Sequence, residues 1–110
     1  MSKYVFVVLS APVSGGEAEY NRWYDTQHVQ DVLKVPGFVA AQRFRLEPPG
    51  DAKSAPYLAV YEMETDDPQS ALADLNKRAG TPAMPLSEAL DLTRVTATLY
   101  GALGGKVKAL

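Results

Sequence analysis

The chain contains no cysteine and a single histidine, His28. The first absence excludes disulfides, thiolate metal ligands and thiol nucleophiles. Together the two argue against a metal centre of the zinc type and predict that no metal is bound. Absence of cysteine also fits a cytoplasmic setting. Positive charge is scarce: 11 Lys and Arg face 13 Asp and Glu, for a net charge of −2. The basic residues are scattered, apart from Lys106 and Lys108, so no stripe suited to nucleic acid is present. Long apolar runs are missing too. The longest, Tyr4 to Leu9, is far below the roughly 20 residues that span a bilayer. It ends in Ser10-Ala11-Pro12 without a clear signal cleavage site and reads as a buried strand, not a membrane segment. Gly15-Gly16 lacks the lysine and further glycines of a phosphate loop. Ser10, Ser14, Ser54, Ser70 and Ser87 sit in no nucleophile elbow.

What remains is enough for one domain with its own core, since 110 residues leave no room for two. Residues 3–10 are β-branched and aromatic and predict a first strand, closed by Pro12, Ser14, Gly15 and Gly16. Ser14 to Glu17 fits the S-x-x-E capping box and opens a helix that runs to about Lys34. Val35-Pro36-Gly37 stops it. Phe38 to Leu46 and Tyr57 to Glu64 predict two more strands, separated by an exposed loop from Glu47 to Ala55. Asp67 caps a second helix with Pro68 at its first position, and Gly80 ends it. Ser87 to Leu90 predicts a short helical turn. A fourth strand runs from about Thr93 to Gly101, which gives a barrel-forming domain over 1–103 and a C-terminal tail over 104–110.

The order β-α-β-β-α-β is the split βαβ, or ferredoxin-like, α+β arrangement: two helices on one face of a four-stranded antiparallel sheet. A sheet with one wet face alternates apolar and polar residues. These strands do not. Val5, Val7 and Leu9 point one way, and Tyr4, Phe6 and Val8 the other. Tyr57, Ala59, Tyr61 and Met63 oppose Leu58 and Val60, with Glu62. Both faces need cover and helices supply only one, so a second copy of the sheet is the expected cover, and the chain is expected to be a homodimer. The ten residues from Gly101 are too few to shield four strands.

The first helix carries the chemistry-bearing residues. At 100° per residue Tyr20, Tyr24, Gln27, His28 and Asp31 share a side, with Trp23 at its edge; Val29, Val32 and Leu33 lie roughly opposite. Tyr24 and Asp31 stand four and three residues from His28, spacings that set side chains next to one another. A neutral imidazole can move a proton at neutral pH, with Asp31 orienting it and Tyr24 bonding a substrate oxygen. The same residues also read as core, with His28 sealing the seam between helix and sheet. Arg43 and Arg45 share one face of the second strand, as an anion-holding pair or as a solvated edge.

The segment Tyr20-Asn21-Arg22-Trp23-Tyr24-Asp25-Thr26-Gln27-His28-Val29, with Val35-Pro36-Gly37-Phe38 and Ala41-Gln42-Arg43-Phe44, resembles the EthD-like branch of the dimeric α+β barrel superfamily. In that pattern an aromatic pair precedes a helical histidine by a turn, and Pro-Gly opens the second strand. The likeness covers about residues 20–46. Beyond it the element order and the aromatic last strand, ending at Tyr100, agree. The resemblance implies two sheets closing into a barrel and a pocket in each subunit with His28 on its wall. The superfamily holds cofactor-free oxygenases, cyclases, isomerases, lyases, haem-degrading enzymes and members without known activity. The haem-degrading branch places its histidine late in the chain, where this sequence has none.

The expectation is therefore a cofactor-independent enzyme acting on a small oxygenated, ring-containing molecule. His28 and Tyr24 would be catalytic; Trp23, Asp31, Arg43, Tyr61 and Tyr100 would bind substrate, Arg43 through a carboxylate. A non-catalytic small-molecule binder of the same fold is the alternative, and a purely structural dimer a third.

Overall fold

The computed structural model describes residues 1–50 and 54–110. Its elements are β1 (Ser2–Ser10), α1 (Glu17–Trp23), a π-helical stretch (Tyr24–His28), α2 (Val29–Leu33), β2 (Phe38–Arg45), β3 (Tyr57–Thr65), α3 (Pro68–Arg78), a 3₁₀ turn (Leu92–Arg94) and β4 (Thr96–Gly101). α1, the π stretch and α2 follow one another without a break and form the first long helix. All four strands join one antiparallel sheet in the order β2-β3-β1-β4. The expected ferredoxin-like layout is thus present. The loop foreseen between β2 and β3 lies partly outside the described residues.

Local chemistry explains most boundaries. Asp67 caps α3 by accepting from Ser70 N at 3.0 Å, with Pro68 behind it. Gly37, at φ +102°, makes the turn into β2, and its carbonyl accepts from Glu64 N at 2.9 Å. Three expectations are corrected. The capping box does not form: Gly16 is the N-cap of α1, without a side-chain bond. Gly15, at φ +78°, turns the chain so that Gly16 rather than Ser14 meets the helix. Ser87 to Leu90 makes one turn bond, Leu90 N to Ser87 O, rather than a helix. β4 begins at Thr96 because Asp91 caps the 3₁₀ turn through Thr93 N and delays extension of the chain.

Cross-strand register sorts the side chains. Tyr4, Phe6, Val8 and Ser10 stand opposite Met63, Tyr61, Ala59 and Tyr57. Phe6, Tyr57, Ala59, Tyr61 and Met63 pack with Tyr20, Trp23, Tyr24, Val32 and Leu75 into the single core. The other face carries Val5, Val7, Leu58 and Val60, only partly buried, while Leu9, Val39, Phe44 and Tyr100 are exposed. No element of the described residues covers that face. Beyond Ala102, whose amide reaches Lys3 O, the tail is extended and exposed, Leu103 and Val107 included. Among the described residues no helix is long and apolar enough to cross a membrane.

Candidate functional site

Between the first helix and the sheet lies a cavity of about 220 Å³. Phe6, Val8 and Tyr61 form its sheet wall, and Trp23, Tyr24, His28 and Val32 its helix wall. The connection from α3 to β4 closes the third side with Met84, Leu86, Leu90, Leu92 and Val95. That connection is fastened at several points. Trp23 Nε1 donates to Pro85 O at 3.1 Å, Val13 N to Ala89 O at 2.7 Å and Asp91 N to Ala11 O at 3.0 Å. The lining is apolar apart from Ser10, Tyr24, His28, Tyr61 and Asn76.

The helix wall owes its shape to the π stretch. In an α-helix residues five apart point about 140° away from each other. Here the i→i+5 winding of Tyr24–His28 brings Trp23 and His28 onto one face, and their rings stack at 4.6 Å and 25°. The Tyr24 ring meets His28 edge-on at 5.1 Å. The same extra residue shifts the phase of the helix beyond it. Gln27 is exposed and Val32 buried, the reverse of an uninterrupted α-helical wheel. Such insertions recur at functional sites.

Among the described residues, buried His28 Nδ1 and Asp31 Oδ2 find no hydrogen-bond partner, and the Tyr61 hydroxyl has only the Tyr24 hydroxyl beside it. Burial holds the His28 pKa down at about 4, against an opposing pull from Asp31, so the ring is neutral at pH 7. A sealed N–H without an acceptor costs about 1–3 kcal/mol. The resting tautomer therefore keeps its proton on Nε2, the nitrogen left for a ligand. Burial, and then the neighbouring Tyr24 hydroxyl, push the Tyr61 phenol well above its ordinary range. Burial also raises Tyr24, and it raises Tyr20 to about 12. The Ser10 hydroxyl is engaged with Tyr20 Oη at 2.5 Å. The site thus offers neutral donors and acceptors, His28 and Tyr61 foremost, in an apolar surround.

Of the residues foreseen, Trp23, Tyr24, His28 and Tyr61 meet at this cavity. The rest do not. Asp31 is buried one turn beyond His28, outside the lining; its Oδ1 lies 3.7 Å from Lys34 Nζ, and it makes no hydrogen bond to the imidazole. Arg43 faces the helices but not the cavity. Its guanidinium lies 4.4 Å over the Tyr24 ring and donates to Asp25 Oδ1 at 2.6 Å and Asn21 Oδ1 at 2.8 Å. With those partners it holds no carboxylate in the pocket. Arg45 instead pairs with Glu47 at 3.1 Å. Tyr100 pairs with Val5 on the bare face, on the opposite side of the sheet. Ser10 and Asn76 went unforeseen as lining. Ser10 continues the alternation of Tyr4, Phe6 and Val8, which was the available signal; Asn76 has none, since α3 alone does not show which turn nears the cavity. Among the described residues no group of His, Asp and Glu converges as a metal site.

No family model matches the chain, and no curated protein matches it in sequence. Solved structures do match. A dimeric ferredoxin-like protein from an uncultured marine organism superposes with a TM-score of 0.63 at 8% identity, over 99% of this chain and 95% of that one. The heme-degrader MhuD from Mycobacterium tuberculosis, solved with two hemes in its active site, gives 0.59 at 18% identity, over 94% and 99%. An EthD family protein from Bacillus halodurans C-125 gives 0.50 at 16% identity, over 97% and 100%. Identities this low establish a common fold. It is the ferredoxin-like fold expected from the order of the elements, and an EthD family protein is among the chains that share it.

Proposed function

We propose that the protein is a cofactor-independent enzyme for a small oxygenated, ring-containing molecule, with His28 as the group that moves the proton. One observation carries this: a neutral, stacked histidine and the Tyr24 and Tyr61 side chains share the wall of an otherwise apolar cavity. Tyr61 or Tyr24 donates to the ligand oxygen, and a carbonyl polarised this way acidifies the carbon beside it. His28, with its own proton shifted to Nδ1 at a cost of about 1–3 kcal/mol, takes the proton of that carbon on Nε2, the step shared by isomerisation, cyclisation, lyase and oxygenation chemistry, and gives it up again to product or water. The bare apolar faces of two subunits pair to close a barrel in the cytoplasm, with residues 1–103 forming each half and 104–110 a tail. Fold neighbours described as dimeric support that assembly, and the heme-degrader among them supports use of the fold for small molecules.

The test is turnover of a panel of hydroxylated aromatics, quinones and ring ketones, with and without dioxygen, followed by mass spectrometry. His28→Gln is expected to abolish product formation while leaving the melting temperature at pH 7 within a few degrees. Equal turnover by the variant would remove His28 from the mechanism. A second reading, a non-catalytic binder, draws on the pKa of about 4. Taking a proton from a phenol of ordinary pKa near 10 is then uphill by about 8 kcal/mol. It predicts thermal stabilisation by ligand with no product on long incubation.

A further inference from the structure

Resting on the ring-binding reading above, we propose that the cavity selects uncharged, single-ring molecules bearing one oxygen, held by hydrogen bonds and not by an ion pair. Size sets the first limit. A dry cavity of about 150 Å³ admits benzene, whereas sites for drug-sized ligands run to roughly 300–1,000 Å³. At about 220 Å³ this one takes a ring and a few substituent atoms.

Charge sets the second. Among the described residues no Lys, Arg, Asp or Glu lines the cavity. Arg43 is held by Asp25 and Asn21, and Lys34 is exposed beside Asp31. A bound carboxylate would lose its water without gaining a cation. It would also stand near the buried Asp31, whose Oδ2 is unpaired one turn from His28. An ammonium fares no better. No carboxylate lines the wall, one face of Trp23 is covered by the His28 ring, and one face of Tyr24 is covered by the Arg43 guanidinium. Two neutral groups at the wall, the His28 ring and the Tyr61 hydroxyl, can hydrogen-bond a ligand oxygen. A neutral phenol or ring ketone answers them; a hydrocarbon offers them no partner.

Trp23 is the sole tryptophan and lies at this wall, so its emission reports occupancy. The intact protein at pH 7.5 would be titrated with p-cresol, toluene, benzoate and benzylamine. The expected result is p-cresol binding at least tenfold tighter than benzoate or benzylamine and several-fold tighter than toluene. Tyr61→Phe should cost p-cresol several-fold and leave toluene unchanged. Benzoate or benzylamine matching p-cresol would overturn the charge selection. Toluene matching p-cresol, or an unaltered p-cresol affinity in Tyr61→Phe, would overturn the hydrogen-bond selection. If none of the four alters Trp23 emission up to millimolar concentration, the ring-binding reading itself falls, and this proposal with it.

Discussion

His28 is the residue on which proton chemistry and folding stability meet. Its ordinary pKa near 6.5 falls to about 4 in the folded chain because burial disfavours the imidazolium. Between those values the unfolded chain binds more protons than the folded one, so stability rises with pH across that window and levels off above it. The fall from 6.5 to about 4 corresponds to at most about 3–4 kcal/mol, lost in full below pH 4. Thermal melts of wild type and His28→Gln at half-unit steps from pH 4 to 7 should show the wild type gaining on the variant as pH rises. Parallel curves would mean that the ring is not desolvated. Arg43 carries a different lesson. A basic residue on a strand reads as an anion site when only its own strand is considered, but Asp25 and Asn21, supplied by the helix above, had already claimed it.

At the scale of elements, the α3 cap and the π stretch make separate predictions. Asp67→Ala removes the acceptor for Ser70 N and should cost about 1 kcal/mol, a fall of roughly 4–8 °C for a domain near this size by calorimetry. Deleting Thr26 should return the first helix to α geometry with Trp23 and His28 four residues apart and still on one face. The response of Trp23 emission to p-cresol and the helical circular dichroism are both expected to be retained. Strands and helices were legible because aromatic and β-branched runs end at Pro and Gly. The π stretch was not, because an i→i+5 turn has no composition of its own; a tight helical wheel puts Trp23 at an edge, and only packing against β3 and the 84–95 connection makes the looser winding worthwhile. Tyr24 and His28 were legible as neighbours from their four-residue spacing, whereas Tyr100 was assigned to the site on aromaticity alone, and strand register sends it to the other face.

At the scale of the whole molecule the chain is a slab of 41 × 40 × 22 Å, with helices on one broad side. The bare side was legible from residues 4–9 and 57–61, since a strand apolar at every position cannot leave one face in water. Val60 faces Val7 across the central strands there. Wild type is expected to sediment as a dimer at micromolar concentration. Val60→Glu should weaken that association at least a hundredfold without lowering far-ultraviolet helicity, by placing an unpaired charge in an apolar interface. A wild-type monomer at that concentration would refute the closed barrel.

The winding between Tyr24 and His28 also bears on kinship. One added residue, absorbed inside a helix rather than in a loop, displaces everything after it by a step. An alignment that forbids gaps in helices will therefore match His28 of this chain to the wrong column of any cousin whose helix is regular. Faint identities on either side of that point are undercounted, and ancestry is better traced by superposing backbones than by comparing letters.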